Sequence, residues 1–464
     1  MLSKNTESLG TTPLGRLLLS LSLPGMASMA TLALYNIIDT FWVARLGHEA
    51  IAALTIVLPY HILVIAIGVG SGVGINALVS RCFGERNIEA TNIIAGQVFP
   101  ITTFFGPFFI LAVVLFNQQI LIVAGATPDI MEFATQYLVI ISFGAPFLVF
   151  SITTNNLLRG SGDALRPMVF MITASVVNII LDPLMIFGIG PFPEMGVRGA
   201  ALATVISQGL GAGLSFIYII IFRWSAYKVK LHHILPNWKI LKDIYHVGLP
   251  AMVMEISEGI IFAIFNYVLS AYGSLTLAAG GLAVRIIDLV FMPIFGASGG
   301  LLPVVGYCLG ARLWGRLWRA VVVASVGLAL VMVVTTVALE ITAPLIVGLF
   351  TNDPQMLAVA VPAIRIVIST LAFIGPAILF ITTFQGLSKG KEALVLSLVR
   401  QFVFFVPILF ILPHFLGLTG VWLSLPVSDL MGFIVSGAWL LREYQRQRRG
   451  PWLEVSALEV NPER

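Results

Sequence analysis

The chain is poor in charge, since Asp, Glu, Lys and Arg together make up only 10% of its 464 residues, against about 25% in ordinary soluble domains. Hydrophobic residues account for 58%, and the mean hydropathy is +0.99. This balance excludes a soluble domain of ordinary composition. A membrane-spanning helix needs about 20 predominantly apolar residues, and the sequence supplies such segments repeatedly. The composition therefore predicts an all-α membrane protein.

Cysteine is also scarce, because the sequence contains only Cys82 and Cys308. They occupy equivalent ends of separate segments and have no further candidate zinc ligands beside them, so neither a disulfide nor a zinc site is expected. The chain has no Walker A lysine motif, no HExxH motif and no GxSxG motif. These absences disfavour an ATP-driven pump and a membrane hydrolase. No enzymatic activity and no organic cofactor are expected.

Histidine is rare as well, with six residues in the whole chain. His61 stands alone within an apolar segment, which favours an interior side chain over a metal ligand. His232 and His233 lie in a basic stretch in the middle of the chain. We expect both of these rings to be solvated.

What the sequence does contain is a succession of long apolar segments. We predict twelve transmembrane helices, several of them long enough to tilt or to protrude beyond the lipid. They cover residues 16–45, 50–80, 91–118, 130–158, 167–190, 197–222, 244–271, 277–308, 318–348, 357–384, 393–413 and 419–441.

The sequence from residue 24 onward repeats from residue 250 onward, at an offset of 226 residues and without a gap over some sixty positions. In a chain this apolar, the duplication indicates two similar helical bundles with a pathway at the seam between them. The matched pairs are Pro24 and Pro250, Gly47 and Gly273, Gly70 and Gly296, Gly74 and Gly300, Cys82 and Cys308, Gly84 and Gly310, and Arg86 and Arg312.

The placement of lysine and arginine predicts the orientation in the membrane. Of the 26 basic residues, only Arg45 and Arg198 fall on one side, and Arg285, Arg365 and Arg400 lie within helices. All the others fall at the two termini or in loops on the other side. We therefore expect a multi-pass protein of the cytoplasmic membrane with both termini in the cytoplasm. The net charge of +4 reflects these loops and does not indicate nucleic acid as a partner.

Six helices per repeat is an even number, so both halves must point the same way, related by an axis along the membrane normal. The polar stretch RWSAYKVKLHHILPNWKILKD separates them. We predict an N-terminal six-helix lobe over residues 1–230 and a C-terminal six-helix lobe over residues 231–464. The last residues form a short polar cytoplasmic tail.

Two acids fall deep within apolar segments of the first half, Asp39 and Asp182. A carboxylate inside a bilayer is costly and usually serves ions or protons. Tyr35 is four residues before Asp39 and Asn178 four before Asp182, so each pair shares a helix face. The group can hold a hard cation such as Na⁺, or one raised carboxyl pKa can carry a proton. A purely structural hydrogen-bonding role is the alternative.

The second half is charged differently, because its apolar segments carry basic as well as acidic residues. Ion pairs that brace the helices are favoured there over an exposed cation site. Phe265 stands at the repeat position of Asp39. In an alignment shifted to an offset of 222 residues, Arg400 is the equivalent of Asn178. The charges of this half are Glu255, Glu258, Arg285, Asp288, Arg365, Arg400 and Asp429.

Several motifs together resemble the multidrug and toxic compound extrusion (MATE) transporters along essentially the whole chain, and the first-half acids are most similar to the DinF-type branch. The resemblance implies two six-helix lobes around a V-shaped central cavity, with alternating access driven by proton or sodium antiport. The motifs are DTFWVARLG at 39–47, RCFGERN at 81–87, LLRGSGDALRP at 157–167, NIILDP at 178–183, GVRGAALATVIS at 196–207, GYCLGAR at 306–312, FQGLSKGKEA at 384–393 and GVWLSLPVSD at 420–429.

Carried over by motif, the resemblance implies that Asp39 and Asp182 couple ion flow to transport. Tyr35, Asn178, Thr204 and Asn155 would be supporting polar groups. Glu258 stands where sodium-coupled relatives of another branch have a glutamate on the seventh helix. Those relatives also have an acid on the tenth helix, whereas this chain has Arg365 there and no carboxylate.

Three functions fit the sequence. The first is secondary active export of amphipathic, often cationic organic compounds. The second is flipping of a lipid-linked saccharide or another amphipathic anionic lipid, because the arginines of the second half suit a phosphate headgroup. The third, a scaffolding protein, gains little from unpaired deep acids. A monomer in the lipid bilayer is the simpler expectation, since the path lies within one chain.

Overall fold

The structure is a computed structural model that describes residues 4–221, 225–350 and 353–448. Within these residues the helices are α-helices except for two π-helical segments, Ile217–Ile221 and Val399–Phe405, and one short 3-10 segment, Leu231–His233. The α-helices are α1 (Lys4–Thr11), α2 (Leu14–Ala44), α3 (His48–Gly84), α4 (Ile88–Gly96), α5 (Val98–Val123), α6 (Met131–Ser142), α7 (Ala145–Gly160), α8 (Leu165–Ile186), α9 (Val197–Phe216), α10 (Trp238–Ser270), α11 (Ser274–Gly310), α12 (Trp314–Phe350), α13 (Pro354–Ile368), α14 (Leu371–Gly386), α15 (Gly390–Leu398), α16 (Val406–Leu416) and α17 (Leu418–Arg448).

The twelve predicted spans are confirmed. Ten helices of the described part are long and apolar enough to cross a membrane, and the count rises to 12 if each of two bent pairs is one span. The bent pairs are α6 with α7, at 49°, and α13 with α14, at 48°. Their breaks, at residues 143–144 and 369–370, are themselves 226 positions apart. The predicted polar tail lies outside the described residues.

Close packing between the two halves follows the repeat. A side chain at Gly70 of α3 would clash with Met252 of α10, and one at Gly296 of α11 would clash with Met26 of α2. Gly70 and Gly296 are repeat equivalents, and so are Met26 and Met252. Each half therefore inserts the same glycine against the same partner of the other half, which is the reciprocity that a twofold axis produces.

The halves run in the same direction. At the C-terminal ends of α3 and α11, Gly306 packs directly against Ser80, its own repeat equivalent. Four residues later, Gly310 packs against the end of α3. The contacts advance in the same direction along both helices, so α3 and α11 lie parallel on either side of the axis. We refer to the end of the bundle that carries these two C-termini as the basic end.

The lobes meet through the halves of their helices that lie near the basic end. On α2, Gly25 packs against Gly296 and Ser22 against Gly300 of α11, and all four residues lie in the halves of these helices nearer the basic end. The lobes thus approach each other closely at the basic end. A V-shaped cavity that opens at the opposite end requires this arrangement.

The segment between the lobes, residues 225–237, is bound to the first lobe. The Tyr227 hydroxyl donates to the carbonyl of Leu157 over 2.5 Å, and the Tyr227 ring is fully buried. The Gln97 side chain donates to the carbonyl oxygens of His233 and Leu235 and accepts from the backbone of Asn237. The predicted boundary at 230 and 231 falls within this bound segment.

Candidate functional site

The two deep acids of the first lobe lie side by side. Asp39 comes from α2 and Asp182 from α8, and the two helices pack along each other. Both side chains are buried, and their carboxyl groups are within hydrogen-bonding reach of each other. Among the described residues, neither carboxyl takes part in an ion pair. Two acids without a counterion therefore share one interior pocket.

Asn178 links this pocket to the neighbouring helix α9. Its amide nitrogen lies 3.3 Å from Asp182 Oδ1 and 3.4 Å from Thr204 Oγ1, at donor distances to both. Tyr35 is one turn from Asp39 on α2, and its hydroxyl is within reach of Thr204. Helices α2, α8 and α9 thus each contribute polar groups to one cluster, because an i to i+4 spacing places Tyr35 and Asn178 one turn from the acids.

Several buried oxygens in this cluster have no hydrogen-bond donor among the described residues. They are one on each aspartate, Asp39 Oδ1 and Asp182 Oδ2, and the amide oxygen Asn178 Oδ1. A buried polar atom without a partner costs about 1–3 kcal/mol. Either a proton shared between the carboxyls or a small hard cation bound by these oxygens would satisfy them. The residues present therefore fit both H⁺ and Na⁺.

Tyr137 is a member of the pocket that the sequence did not indicate. It is buried on α6 and lies within electrostatic range of Asp39, Asp182 and Tyr35. Its helix is apolar, and nothing in its spacing distinguishes it from a packing residue. Asn155, which the motif comparison proposed, lies on α7 with a buried and unpartnered amide oxygen. The described contacts do not join it to the two aspartates.

The equivalent place in the second lobe is filled with aromatic side chains. Phe265, at the repeat position of Asp39, packs on Phe405 and Trp422 with ring centroids 6.1 and 6.0 Å away. All three rings are buried in one hydrophobic cluster. The two halves share a backbone architecture, but only the first lobe keeps a polar pocket at this position.

The expected contact between acids and arginines of the second lobe is present. Arg400 Nη1 lies 3.0 Å from Asp429 Oδ1, and both side chains are largely buried. Glu258 lies within electrostatic range of Arg400 and Asp288, and Glu255 within range of Glu258. Arg400 is the second residue of the π-helical segment Val399–Phe405, and Asp429 lies on α17.

The other arginines do not join this group, so the predicted network is smaller than the sequence suggested. Arg365, in the last turn of α13, is about half-exposed and lies 3.4 Å from Glu340 of α12. Arg285 and Asp288 are exposed on α11. Although they are three residues apart, these two form no ion pair within the described part of the chain.

The expectation that His233 is solvated is wrong. Its side chain is 1% exposed and its Nε2 lies 2.9 Å from Glu89 Oε1, whereas the side chain of His232 is 61% exposed. Glu89, His232 and His233 bring three potential metal ligands together. However, the backbone N–H of Lys230 donates to His233 Nδ1, so a neutral ring carries its proton on Nε2. That nitrogen donates to Glu89 and has no lone pair for a metal.

Comparison with known proteins matches each half of the chain separately to one family. The model of the MatE family matches residues 24–184 and 250–411, two ranges whose starts are again 226 positions apart. The chain is 28% identical to the FAD transporter of Shewanella oneidensis over 435 residues, covering 92% of this chain and 94% of the relative. It is 27% identical to the multidrug export protein MepA of Staphylococcus aureus, covering 90% and 91%.

Solved structures of similar shape cover almost the whole chain. One is the outward-facing conformation of a multidrug resistance MATE family transporter, with a TM-score of 0.92 and 28% identity over 97% of this chain and 100% of that one. Another is a transporter from Pyrococcus furiosus described as having reverse polarity of its binding pocket, with a TM-score of 0.86, 29% identity and the same coverage. Both likenesses extend over the two lobes.

Proposed function

Because the chain belongs to the MatE family of membrane transporters, we propose that it exports amphipathic organic cations by proton- or sodium-coupled antiport with alternating access. The observation that carries this proposal is the pair of adjacent, buried carboxyl groups of Asp39 and Asp182, which have no counterion among the described residues. A family member without coupling would gain nothing from their cost in a membrane.

Coupling follows from the unpartnered oxygens of the pocket. When H⁺ or Na⁺ binds there, it offsets one of the two adjacent negative charges, relieves their mutual repulsion and interacts with oxygens that otherwise lack partners. When it leaves, the carboxylates repel each other and favour hydration of the pocket. Ion binding therefore has a different free energy in an open and a closed pocket, and this difference is what an antiporter requires.

A cationic cargo is supported by the charges of the second lobe. Glu258 and Asp288 are exposed on α10 and α11, two helices that form the seam between the lobes. Arg400 and Arg365 are both engaged by acids. Relatives of this chain include a multidrug export protein and a FAD transporter, so an anionic cargo is the appropriate competitor.

The flippase alternative loses its main support. It depended on arginines free to bind a phosphate headgroup. Arg400 lies against Asp429 and Arg365 against Glu340. Of the three arginines that the sequence places within the spans of this lobe, this leaves Arg285 without an ion pair in the described residues. Export of a small molecule needs no such headgroup site.

The lipid-embedded protein is expected in the cytoplasmic membrane with the basic end in the cytoplasm. Both described chain ends reach that end of the bundle: α1 packs beside Tyr307 near the end of α11, and Glu443 near the end of α17 pairs with Lys389 at 2.7 Å. The loops there carry most of the basic residues, in accord with the positive-inside rule. The path through one chain supports a monomer.

Flux into liposomes tests the proposal. Purified protein is reconstituted, and uptake of ethidium is followed after a proton gradient or a sodium gradient is imposed separately. We expect one of the two gradients to drive ethidium flux, and FAD in excess to compete weakly. Flux of FAD alone would replace the cation with an anion as cargo. Absence of gradient-driven flux of either compound, together with flipping of an anionic lipid, would overturn the proposal.

A further inference from the structure

A short helix that precedes the first membrane span lies across the seam between the lobes. Helix α1 consists of eight residues, Lys4–Thr11. Its Thr6 and Leu9 are fully buried although the segment is polar overall. An N-terminal segment is ordinarily loose unless something holds it. Here contacts from both lobes hold it.

The first lobe contacts one side of α1. The Thr6 hydroxyl donates to the carbonyl of Ser161 over 2.9 Å. The next residue, Gly162, has a φ of +83°, and a side chain there would lie 2.7 Å from the Asn5 carbonyl oxygen and 3.3 Å from Leu9. The turn between α7 and α8 therefore forms a fitted seat for α1.

The second lobe contacts the other side. Arg316 of α12 donates from Nε to the Leu9 carbonyl over 3.0 Å and from Nη2 to the Thr12 carbonyl over 2.5 Å. The last carbonyls of a helix lack partners within the helix. A cation there both donates hydrogen bonds to these carbonyls and interacts favourably with the negative end of the helix dipole. Tyr307 of α11 packs beneath Gly10. One guanidinium thus caps α1 from the opposite lobe.

We propose that α1 is a latch that holds the lobes together at the basic end. It is continuous with α2 and seated on Ser161, so it remains with the first lobe when the lobes separate. The bonds from Arg316 must then break. Their loss adds to the cost of opening the basic end and favours the state in which the pathway opens at the other end. This inference rests on the lobes separating there during the transport cycle.

The distance between the lobes at the basic end tests the latch. Leu165 and Lys391 are exposed residues at the starts of α8 and α15, and they are repeat equivalents on different lobes. Spin labels are placed at both positions in a background with Cys82→Ala and Cys308→Ala, and the distance distribution is measured by pulsed electron paramagnetic resonance in nanodiscs. The background protein, Arg316→Gln, Thr6→Val and Arg319→Gln are compared.

Arg319 supplies the matched control, because it lies one turn further along α12, is exposed and makes none of these bonds. We expect Arg316→Gln to raise the ratio of the longer-distance to the shorter-distance population by about tenfold or more, since two hydrogen bonds from a charged group are weakened or lost. Thr6→Val keeps the side-chain shape and should shift the ratio in the same direction, whereas Arg319→Gln should leave it unchanged.

Two results would overturn the latch. One is a distance distribution for Arg316→Gln that matches the background protein, and the other is an equal shift for Arg319→Gln, which would assign the effect to net charge. If Arg316→Gln does not yield folded protein, Arg316→Lys, which lacks the planar fork, and Thr6→Val decide the question. The distances are read without any substrate, so failure of ethidium export leaves this test intact.

Discussion

Gly84 packs against the helix that carries Gly310, and Gly310 makes the equivalent contact with the helix that carries Gly84. A side chain at Gly84 would clash with the carbonyl of Tyr307, and one at Gly310 would clash with the carbonyl of Arg81. Tyr307 and Arg81 are themselves 226 residues apart. Each glycine is followed two residues later by an arginine with a φ of 58°, which ends the helix in the left-handed conformation. The repeated CFGER and CLGAR motifs therefore mark the point where the lobes touch across the pseudo-twofold axis.

Gly84→Ala is expected to destabilise the protein although alanine is ordinarily the better helix former by about 1 kcal/mol. The clash is with backbone of α11, which cannot rotate aside, and overpacking of this kind costs about 1–3 kcal/mol. The measurement is thermal unfolding in detergent. Gly315→Ala is the control, because nothing lies within 4 Å of a side chain added there, and it should cause no loss. Equal stability of the two variants would contradict the close approach.

The fold could be predicted from the sequence because membrane helices and repeats leave strong local signals. Apolar length gave the twelve spans, and the spacing of glycines gave the symmetry. The helix α1 could not be found this way, since Lys4–Thr11 has neither apolar length nor a counterpart in the second half. Its order depends on Ser161 and Arg316, which are more than 150 residues away in sequence.

Arg400→Met should destabilise the second lobe by about 3–5 kcal/mol, because it leaves the buried carboxylate of Asp429 without its cation. The double variant Arg400→Met with Asp429→Leu should recover most of that loss, since it removes both charges. Chemical denaturation of the purified proteins measures the difference. If the single variant is as stable as the double variant, the pair is not a structural ion pair.

Arg365→Met provides the comparison on the same lobe. Its pair with Glu340 is about half-exposed on both sides, and exposed pairs contribute about 0–1 kcal/mol. A large loss at Arg365 with none at Arg400 would reverse the assignment of the buried and the exposed pair.

His233→Ala should release the segment between the lobes, whereas His232→Ala should have little effect. The His233 ring is buried and bonded to Glu89 and Lys230, and the loss of such partners costs about 1–3 kcal/mol. Limited proteolysis of residues 225–237 reports the release as faster cleavage. Added Zn²⁺ should not slow the cleavage of the unmodified protein, because Nε2 of His233 is occupied by its proton. Protection by Zn²⁺ that disappears in His232→Ala would restore the metal site.

The candidate site could be predicted only in part. Asp39, Asp182 and Asn178 converge, because helix periodicity and a charge deep in an apolar segment can both be read locally. Thr204, which the family resemblance implied, lies beside Asn178. Tyr137 was missed because a tyrosine in an apolar helix carries no such signal.

The contacts of the segment between the lobes, residues 225–237, could not be predicted from the sequence either. The burial of His233 depends on a distant acid and a backbone N–H, and neither can be inferred from a basic, polar stretch. Predictions of where a residue lies therefore held where its own helix fixed its position. They failed where a contact from another element decided it.

Asp39→Asn should abolish gradient-driven ethidium flux, by at least about tenfold, while the protein stays folded and inserted. Asparagine has nearly the same volume and can hydrogen-bond, so the packing of α2 against α8 should survive. It cannot exchange a proton, and it offers a cation no negative charge. Flux is measured in liposomes under the gradient that drives the unmodified protein, with unfolding temperature as the check on folding. Asp243→Asn is the control, because that acid is exposed near the start of α10.

Flux in the Asp39→Asn protein distinguishes a coupling role of Asp39 from a structural role, because the asparagine amide differs from the carboxylate mainly in charge. If Asp39 serves only as a hydrogen-bonding residue, its asparagine variant should transport at nearly the normal rate, and Asp182→Asn should behave alike. If the two carboxyls share one proton or one cation, either substitution should remove gradient dependence, while binding of ethidium at equilibrium persists in part. Near-normal, gradient-driven flux in the Asp39→Asn protein would remove this residue from the mechanism. The same result in Asp182→Asn would remove the first-lobe pocket as the coupling site.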